Sequence, residues 1–308
     1  MHSLSNPKPR AFSRLLTTTL WAGALTASLV ATTAAQASAY ERGPDPTTAS
    51  LEAAAGPFQV ASTVINSPVG YKGGTVYYPK GDGPFALVVF APGFIETQSW
   101  NAWWAKYLAS HGFVVVNIDT TSTLAFPPAR QREQLAALKD VIKRSNTRGT
   151  PYHGLVDATR LGAMGHSMGG GASLELARGT PNIKAIVPMA PFQTAGTDYG
   201  SLKVPTLILA CKGDIVATAK SHSDPIYNSL SPSLDKAYVE LAGGAGHPCT
   251  TSLGTSAEVK QIAAKYGVSW LKRFLDQDTR YSPFLCGEPH EADLKNPVVS
   301  AYKGNCPY

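Results

Sequence analysis

The feature that most narrows what this chain can fold into is a pentapeptide, Gly165-His166-Ser167-Met168-Gly169, a match to the pattern G-x-S-x-G. A short apolar run, Leu161-Gly162-Ala163-Met164, leads into it, and the helix-like stretch Gly169-Gly170-Gly171-Ala172-Ser173-Leu174-Glu175-Leu176-Ala177 leaves it. Strand, sharp turn and helix in that order present a serine hydroxyl at the edge of a sheet. The flanking glycines let strand and helix approach closely at a turn whose backbone is strained. The five letters alone recur by chance in many chains of this length. Their surroundings make Ser167 a candidate nucleophile, against the plainer alternative of a glycine-rich loop with a solvated serine.

Around this turn, strand and helix signals alternate without an internal repeat. Phe58–Ile65 and Gly73–Tyr78 are β-branched and alternating, like an antiparallel sheet edge. Phe85–Phe90 and Phe113–Ile118 are near-continuous apolar runs, as in strands buried on both faces. Between them Asn101–His111 reads as a helix with Trp103, Trp104 and Leu108 inward. Residues 128–144 read as a longer helix opened by Pro127-Pro128, with Leu135, Leu138 and Ile142 on one stripe. Further strands are expected at Ala185–Val187, Thr206–Ala210 and Ala237–Leu241, and a last helix over Ser256–Asp276. That alternation predicts one α/β domain over residues 38–308, a mainly parallel central sheet flanked by helices. About fourteen residues separate Ala190 from the next strand near Val204, too few for a lid domain.

The first forty residues have a different character. Lys8, Arg10 and Arg14 precede an uncharged run rich in Leu, Ala and Thr that ends in Ala34-Ala35-Gln36-Ala37-Ser38-Ala39. This predicts a secretory signal peptide over residues 1–37, cut after Ala37 or Ala39, rather than an uncleaved anchor. The mature chain is expected outside the cytoplasm, extracellular or periplasmic, as a monomer with no membrane association. Removing residues 1–37 takes away three bases and no acid, so the formal charge falls from +6 to +3. With no basic run interleaved with aromatics, a nucleic-acid partner is not expected. Cys211, Cys249, Cys286 and Cys306 form an even set, which in an exported protein suggests two disulfides among three possible connectivities. Their placement favours Cys211–Cys249 and Cys286–Cys306. No spacing suggests a metal site, and no cofactor is expected.

A serine hydroxyl attacks only when a base takes its proton, and the base needs an orienting acid. In the α/β-hydrolase fold these partners follow the serine in the order acid, histidine, at the ends of later strands. Asp214 sits just past the strand Thr206–Ala210 and is preferred over Asp224, Asp235 and Glu240; Asp235 precedes its strand and Glu240 lies inside one. Among the histidines, His111, His153 and His166 violate the order, His222 follows no strand, and His290 lies in the tail. His247, in Gly243-Gly244-Ala245-Gly246-His247-Pro248-Cys249, follows the strand Ala237–Leu241. A Cys211–Cys249 bridge would clamp the Asp214 loop to the His247 loop. The oxyanion needs backbone donors, for which the candidates are the N–H groups of Met168 and of Phe94, in Ala91-Pro92-Gly93-Phe94. Without a lid, Ser167 should face an open groove. Phe94 and Phe192 are expected at its rim, with His166 and Met168 shaping it, and ordinary core packing is the alternative for each aromatic.

These residues resemble bacterial cutinases and poly(ethylene terephthalate) hydrolases, the polyesterases of the α/β-hydrolase superfamily. The resemblance spans about residues 40–308. It rests on Tyr40-Glu41-Arg42-Gly43-Pro44-Asp45-Pro46, Ala109-Ser110-His111-Gly112-Phe113-Val114-Val115, Ile118-Asp119-Thr120, Gly165–Gly171 and Leu275-Asp276-Gln277-Asp278-Thr279-Arg280-Tyr281. It implies a triad of Ser167, Asp214 and His247 with Phe94 and Met168 as oxyanion donors, and its two-disulfide pattern looks like that of the mesophilic polyester hydrolases. It also implies that His166 and Phe192 stand where strong plastic degraders carry Trp, that Phe94 replaces a common Tyr, and that His222 and Ile226 lie behind Phe192. The His247 loop looks one residue longer than the family's usual form. The function expected is a secreted serine esterase acting on polyesters and short acyl esters. A lipase or carboxylesterase restricted to soluble or lipid esters is the alternative. A non-enzymatic binding protein on the same fold is opposed by the complete set of catalytic residue types.

Overall fold

Strands that are apolar along their whole length need cover on both faces, and that requirement organises the molecule. The computed structural model describes residues 38–194 and 197–308, together with His2. The leader expected over residues 1–37 lies outside the described residues. In chain order the main elements are α1 (Thr48–Glu52), β1 (Val60–Asn66), β2 (Gly73–Pro79), β3 (Phe85–Ala91), α2 (Ala102–Ser110), β4 (Val114–Asp119), α3 (Pro127–Ser145) and β5 (Val156–His166). There follow α4 (Met168–Gly179), β6 (Ile183–Met189), β7 (Thr206–Cys211), α5 (Ser223–Ser229), β8 (Lys236–Leu241), α6 (Ala257–Leu275), α7 (Pro283–Cys286), α8 (Glu288–Asp293) and β9 (Val299–Gly304).

Among the described residues these strands form one sheet in the order β1-β2-β4-β3-β5-β6-β7-β8-β9. From β4 to β8 all neighbours are parallel; β1, β2 and β9 join antiparallel at the two sides. Side-chain alternation splits β3 between two cores. Ala86, Val88 and Phe90 pack with α2 and α6, while Phe85, Leu87, Val89 and Ala91 pack with α3 and α4. A parallel sheet covered by helices on both faces is the α/β arrangement expected. The described residues between β6 and β7 form no helix.

Local chemistry sets the helix ends. Pro127 and Pro128 open α3, where their missing N–H groups are not needed, and Lys143 and Arg144 sit in its negative last turn. Ser256 caps α6 by accepting the Val259 N–H at 3.2 Å. In α3 the buried stripe is Gln134, Ala137, Leu138 and Val141, while Leu135 and Ile142 are only partly covered. The helix is therefore rotated from the expected stripe, because buried Gln134 donates to the Met164 carbonyl at 3.1 Å and to Ser173 Oγ at 3.0 Å. Trp103, expected inward, is likewise only partly buried. The strand β9 has no counterpart in the sequence expectations.

Cys211 is bonded to Cys249 and Cys286 to Cys306. The second bond anchors β9, whose pairing with β8 closes that side of the sheet. Closing its 20-residue separation stabilises the fold by about 3 kcal/mol through restriction of the unfolded chain. The double variant C286S/C306S is expected to lose about that much unfolding free energy in urea titration; a midpoint equal to wild type would show that β9 is held by its ladder alone.

Candidate active site

The loops that matter all leave the C-terminal ends of parallel strands. Ser167 follows β5 directly, with φ 54° and ψ −117°, a left-handed conformation costly for a residue with a Cβ. Three hydrogen bonds hold it there. Its N–H donates to the Met189 carbonyl at 2.9 Å, and its carbonyl accepts from Phe192 N–H at 2.9 Å and Gly171 N–H at 3.0 Å. Glycine is required on both sides of the turn. A Cβ on Gly165 would lie 2.3 Å from Gly169 backbone atoms, and one on Gly169 would lie 2.2 Å from the Ala91 carbonyl oxygen. The α4 helix thus starts in backbone contact with the end of β3, from which the proposed oxyanion loop departs.

Asp214 lies three residues past β7 and His247 six past β8. The structure brings them together, with His247 Nδ1 2.7 Å from Asp214 Oδ2. The other Asp214 oxygen accepts the N–H groups of Val216 and Ala217, each at 2.8 Å. Burial works against the charged form of Asp214, but His247 and these two amides outweigh it and hold the carboxyl below its usual range. Cys211 and Cys249, bonded with Cα atoms 5.8 Å apart, tie the two loops beside this pair.

His166, next to Ser167, connects the serine turn to the His247 loop. Its Nε2 lies 2.9 Å from the His247 carbonyl oxygen, and the two rings are 4.7 Å apart. His166 does not line a groove as expected, because its side chain is fully buried with its Nδ1 turned to Glu96. Met168 is 8% exposed and begins α4, so its N–H lies in the helix's first turn. Phe94 is 45% exposed at the rim. Phe192 is half-buried, its ring 4.7 Å from that of His222, whose Nδ1 accepts the Gln193 N–H at 3.1 Å. On its other side Phe126 approaches edge-on at 6.3 Å.

Two residues here escaped the sequence reasoning. Arg130 in α3 is fully buried and donates to the carbonyls of Pro92, Thr123 and Ala125 and to Thr120 Oγ1. It thereby fastens the loop after β3 to the loop after β4. Glu96, 4% exposed, accepts the Gly93 N–H at 2.6 Å and meets His166 Nδ1 at 2.6 Å. A signal for Glu96 was present: it is the only charged residue between Asp82 and Lys106.

Among the described residues, seven of the nine most exposed large apolar side chains share this end of the sheet. Phe94, Ile95, Leu124, Phe126, Ile215, Val216 and Leu253 are on the loops after β3, β4, β7 and β8; only Val64 and Val69 lie elsewhere. Single exposed apolar residues are ordinary, whereas a cluster marks a contact surface. No group of three or more His, Cys, Asp or Glu side chains is gathered as for a metal ion among the described residues.

Known proteins share this arrangement of sequence. A family profile described as PET hydrolase-like matches residues 34–307. A bis(hydroxyethyl) terephthalate hydrolase of Streptomyces coelicolor is 44% identical over 273 residues, 87% of this chain and 83% of its own. A cutinase of Thermobifida fusca is 41% identical over 286 residues, 92% of this chain and 91% of its own. Cutinase 2 of Thermobifida cellulosilytica is 42% identical over 274 residues, 88% of this chain and all of its own.

The depressed Asp214 carboxyl has a consequence for stability. Its ionised form favours the folded state at every pH above the ordinary carboxyl range, and that contribution is lost as pH falls through the lowered folded value. The thermal midpoint of the wild type should therefore fall more steeply between about pH 5 and pH 3 than that of Asp214→Asn. Parallel curves would show that Asp214 carries no such linkage.

Proposed function

This chain belongs to the PET hydrolase-like family of ester hydrolases, and on that premise we propose that it cleaves polyesters and short acyl esters through Ser167, His247 and Asp214 by way of an acyl-enzyme. The observation that carries the proposal is the 2.7 Å His247–Asp214 contact, clamped by the Cys211–Cys249 bond beside the strained Ser167 turn. Asp214 accepts a hydrogen bond from the His247 Nδ1–H, which leaves Nε2 unprotonated as the base. His247 Nε2 takes the proton from Ser167 Oγ as that oxygen attacks the ester carbonyl carbon. The carbonyl oxygen becomes an oxyanion and accepts from the Phe94 and Met168 N–H groups. Collapse expels the alcohol, which leaves with the proton held by His247. Water, deprotonated by the same imidazole, then attacks the acyl carbonyl, and the carboxylic acid departs as Ser167 recovers its proton.

The apolar rim favours a polymer over a small soluble ester. A mouth bordered by Phe94, Ile95, Leu124, Phe126, Ile215, Val216 and Leu253 can rest on a water-poor surface and present Ser167 to it. Phe94 and Phe192 are suited to flank a flat or extended acyl unit. We further infer export, supported by the basic, apolar and small-residue pattern of residues 1–39 and by two disulfides, which persist in oxidising compartments.

Ser167→Ala should lower turnover of a p-nitrophenyl ester by about 10⁴-fold or more, and a fluorophosphonate probe should label the wild type at Ser167 and not the variant. Substantial residual activity would end this assignment. Acids released from an amorphous poly(ethylene terephthalate) or aliphatic polyester film, measured beside soluble esters, test the substrate class. Activity on soluble esters alone would assign the chain as a carboxylesterase or lipase.

A further inference from the structure

Between the serine turn, the loop after β3 and the His247 loop lies a buried pair that the proposed reaction does not use. Glu96 and His166 are almost wholly buried, and a buried charge persists only when paired and hydrogen-bonded. Each carboxylate oxygen has its own partner: Oε2 accepts the Gly93 N–H at 2.6 Å, and Oε1 faces His166 Nδ1 at 2.6 Å. The other imidazole nitrogen, Nε2, meets the carbonyl of His247 at 2.9 Å. Gly93 precedes Phe94, His166 precedes Ser167, and His247 is the base itself. The geometry points to Glu96 and His166 as positioning residues, a buried strut that sets the oxyanion donor of Phe94 and the backbone of His247 relative to Ser167.

The route of that control can be followed atom by atom. Gly93 lies against Ser167 so closely that a Cβ on it would sit 2.9 Å from Ser167 Cβ and 2.9 Å from Glu96 Cδ. The Pro92–Gly93 peptide is therefore held at both ends, its N–H by the Glu96 carboxylate and its carbonyl by Arg130 at 3.1 Å, and the Glu96 N–H in turn donates to the carbonyl of the Gly93–Phe94 peptide at 3.3 Å. The Ile95 N–H, one residue on, donates to Thr123, whose carbonyl also accepts from Arg130. Every peptide around the Phe94 N–H is thus anchored, which is what a preorganised donor requires. On the other side, the His166 contact fixes the His247 peptide, while Asp214 fixes the His247 ring. Burial disfavours both charges, yet each partner stabilises the other. Glu96 is held below its usual range mainly by the His166 charge and hydrogen bond, and His166 is raised mainly by Glu96. The His247 carbonyl can only accept, so Nε2 donates to it, and the short Nδ1–Oε1 contact is charge-assisted.

This inference rests on the triad proposed above, and the test separates the two. Glu96→Gln keeps the length and both contacts: its amide oxygen accepts from Gly93 and its amide nitrogen donates to a neutral His166. Glu96→Asp keeps the charge but is a methylene too short to reach both partners. With a soluble ester, E96D should lose about tenfold to a hundredfold in kcat at nearly unchanged KM, because a small displacement of the donor acts on the transition state. E96Q should remain within about threefold of the wild type, losing only the charge-assisted strength of its contacts. The rate of Ser167 capture by a fluorophosphonate should fall in parallel with kcat, since that reagent uses the same oxyanion donors. Thermal midpoints of both variants establish that the assay temperature lies well below unfolding. The reverse order, E96D more active than E96Q, would overturn the proposal by showing that charge and not reach matters. So would a loss confined to KM, or E96D within twofold of wild-type kcat. If the wild type itself is not labelled at Ser167, the triad assignment has failed instead.

Discussion

The site depends on one close approach, between the first turn of α4 and the end of β3. With no side chain on Gly169, the helix backbone lies against the Ala91 carbonyl, and the absence of one on Gly165 lets the chain double back immediately. Any Cβ at either position would push α4 away from the sheet, and Ser167 with it. The left-handed backbone at Ser167 costs about 1–3 kcal/mol in isolation. It persists because the carbonyls and amides on either side are tied to β6 and to the start of the Phe192 loop. Strain at the serine is thus imposed by the packing of two secondary-structure elements that are themselves secure.

The other groups are brought to the same place by topology. Parallel strands all point their C-terminal ends to one side, so the loops after β3, β4, β5, β6, β7 and β8 converge whatever their sequence separation. What topology cannot supply is precision at the level of tenths of an ångström. Here that comes from cross-links between loops: the Cys211–Cys249 bond joins those after β7 and β8, Arg130 those after β3 and β4, and Glu96 with His166 those after β3, β5 and β8. Several side chains of the site sit on loops, but these loops are tied to one another.

Much of this was legible in the sequence, and what was not has a physical reason. The strands β3 and β4 announce themselves because burial on both faces demands near-continuous apolar runs, and the chain order of Ser167, Asp214 and His247 is the one that strand-end geometry leads one to seek. The α3 stripe was misplaced because a buried glutamine replaced an expected aliphatic position; hydrophobic periodicity cannot see a polar side chain that satisfies itself across the core. β9 was missed because Val299–Gly304 lies on an edge, with one ladder and mixed exposure, where no strong pattern is needed. His166 was assigned to the groove by its neighbour Ser167, yet residues adjacent in a strand end point in opposite directions. Glu96 and Arg130 act by filling hydrogen-bonding capacity buried between loops, a relation with no fixed spacing.

The apolar rim has a second side to it. In water, Phe94, Ile95, Leu124, Phe126, Ile215, Val216 and Leu253 remain hydrated at a free-energy cost that any dry contact relieves, including contact with another copy of the same chain. One feature opposes such self-association: the chain beyond residue 37 keeps a formal charge of +3, which repels like molecules at low ionic strength. Salt weakens that repulsion while leaving the apolar attraction in place. The colloidal behaviour of this enzyme and the polymer contact proposed for it therefore draw on the same handful of side chains, and a change that strengthens one strengthens the other.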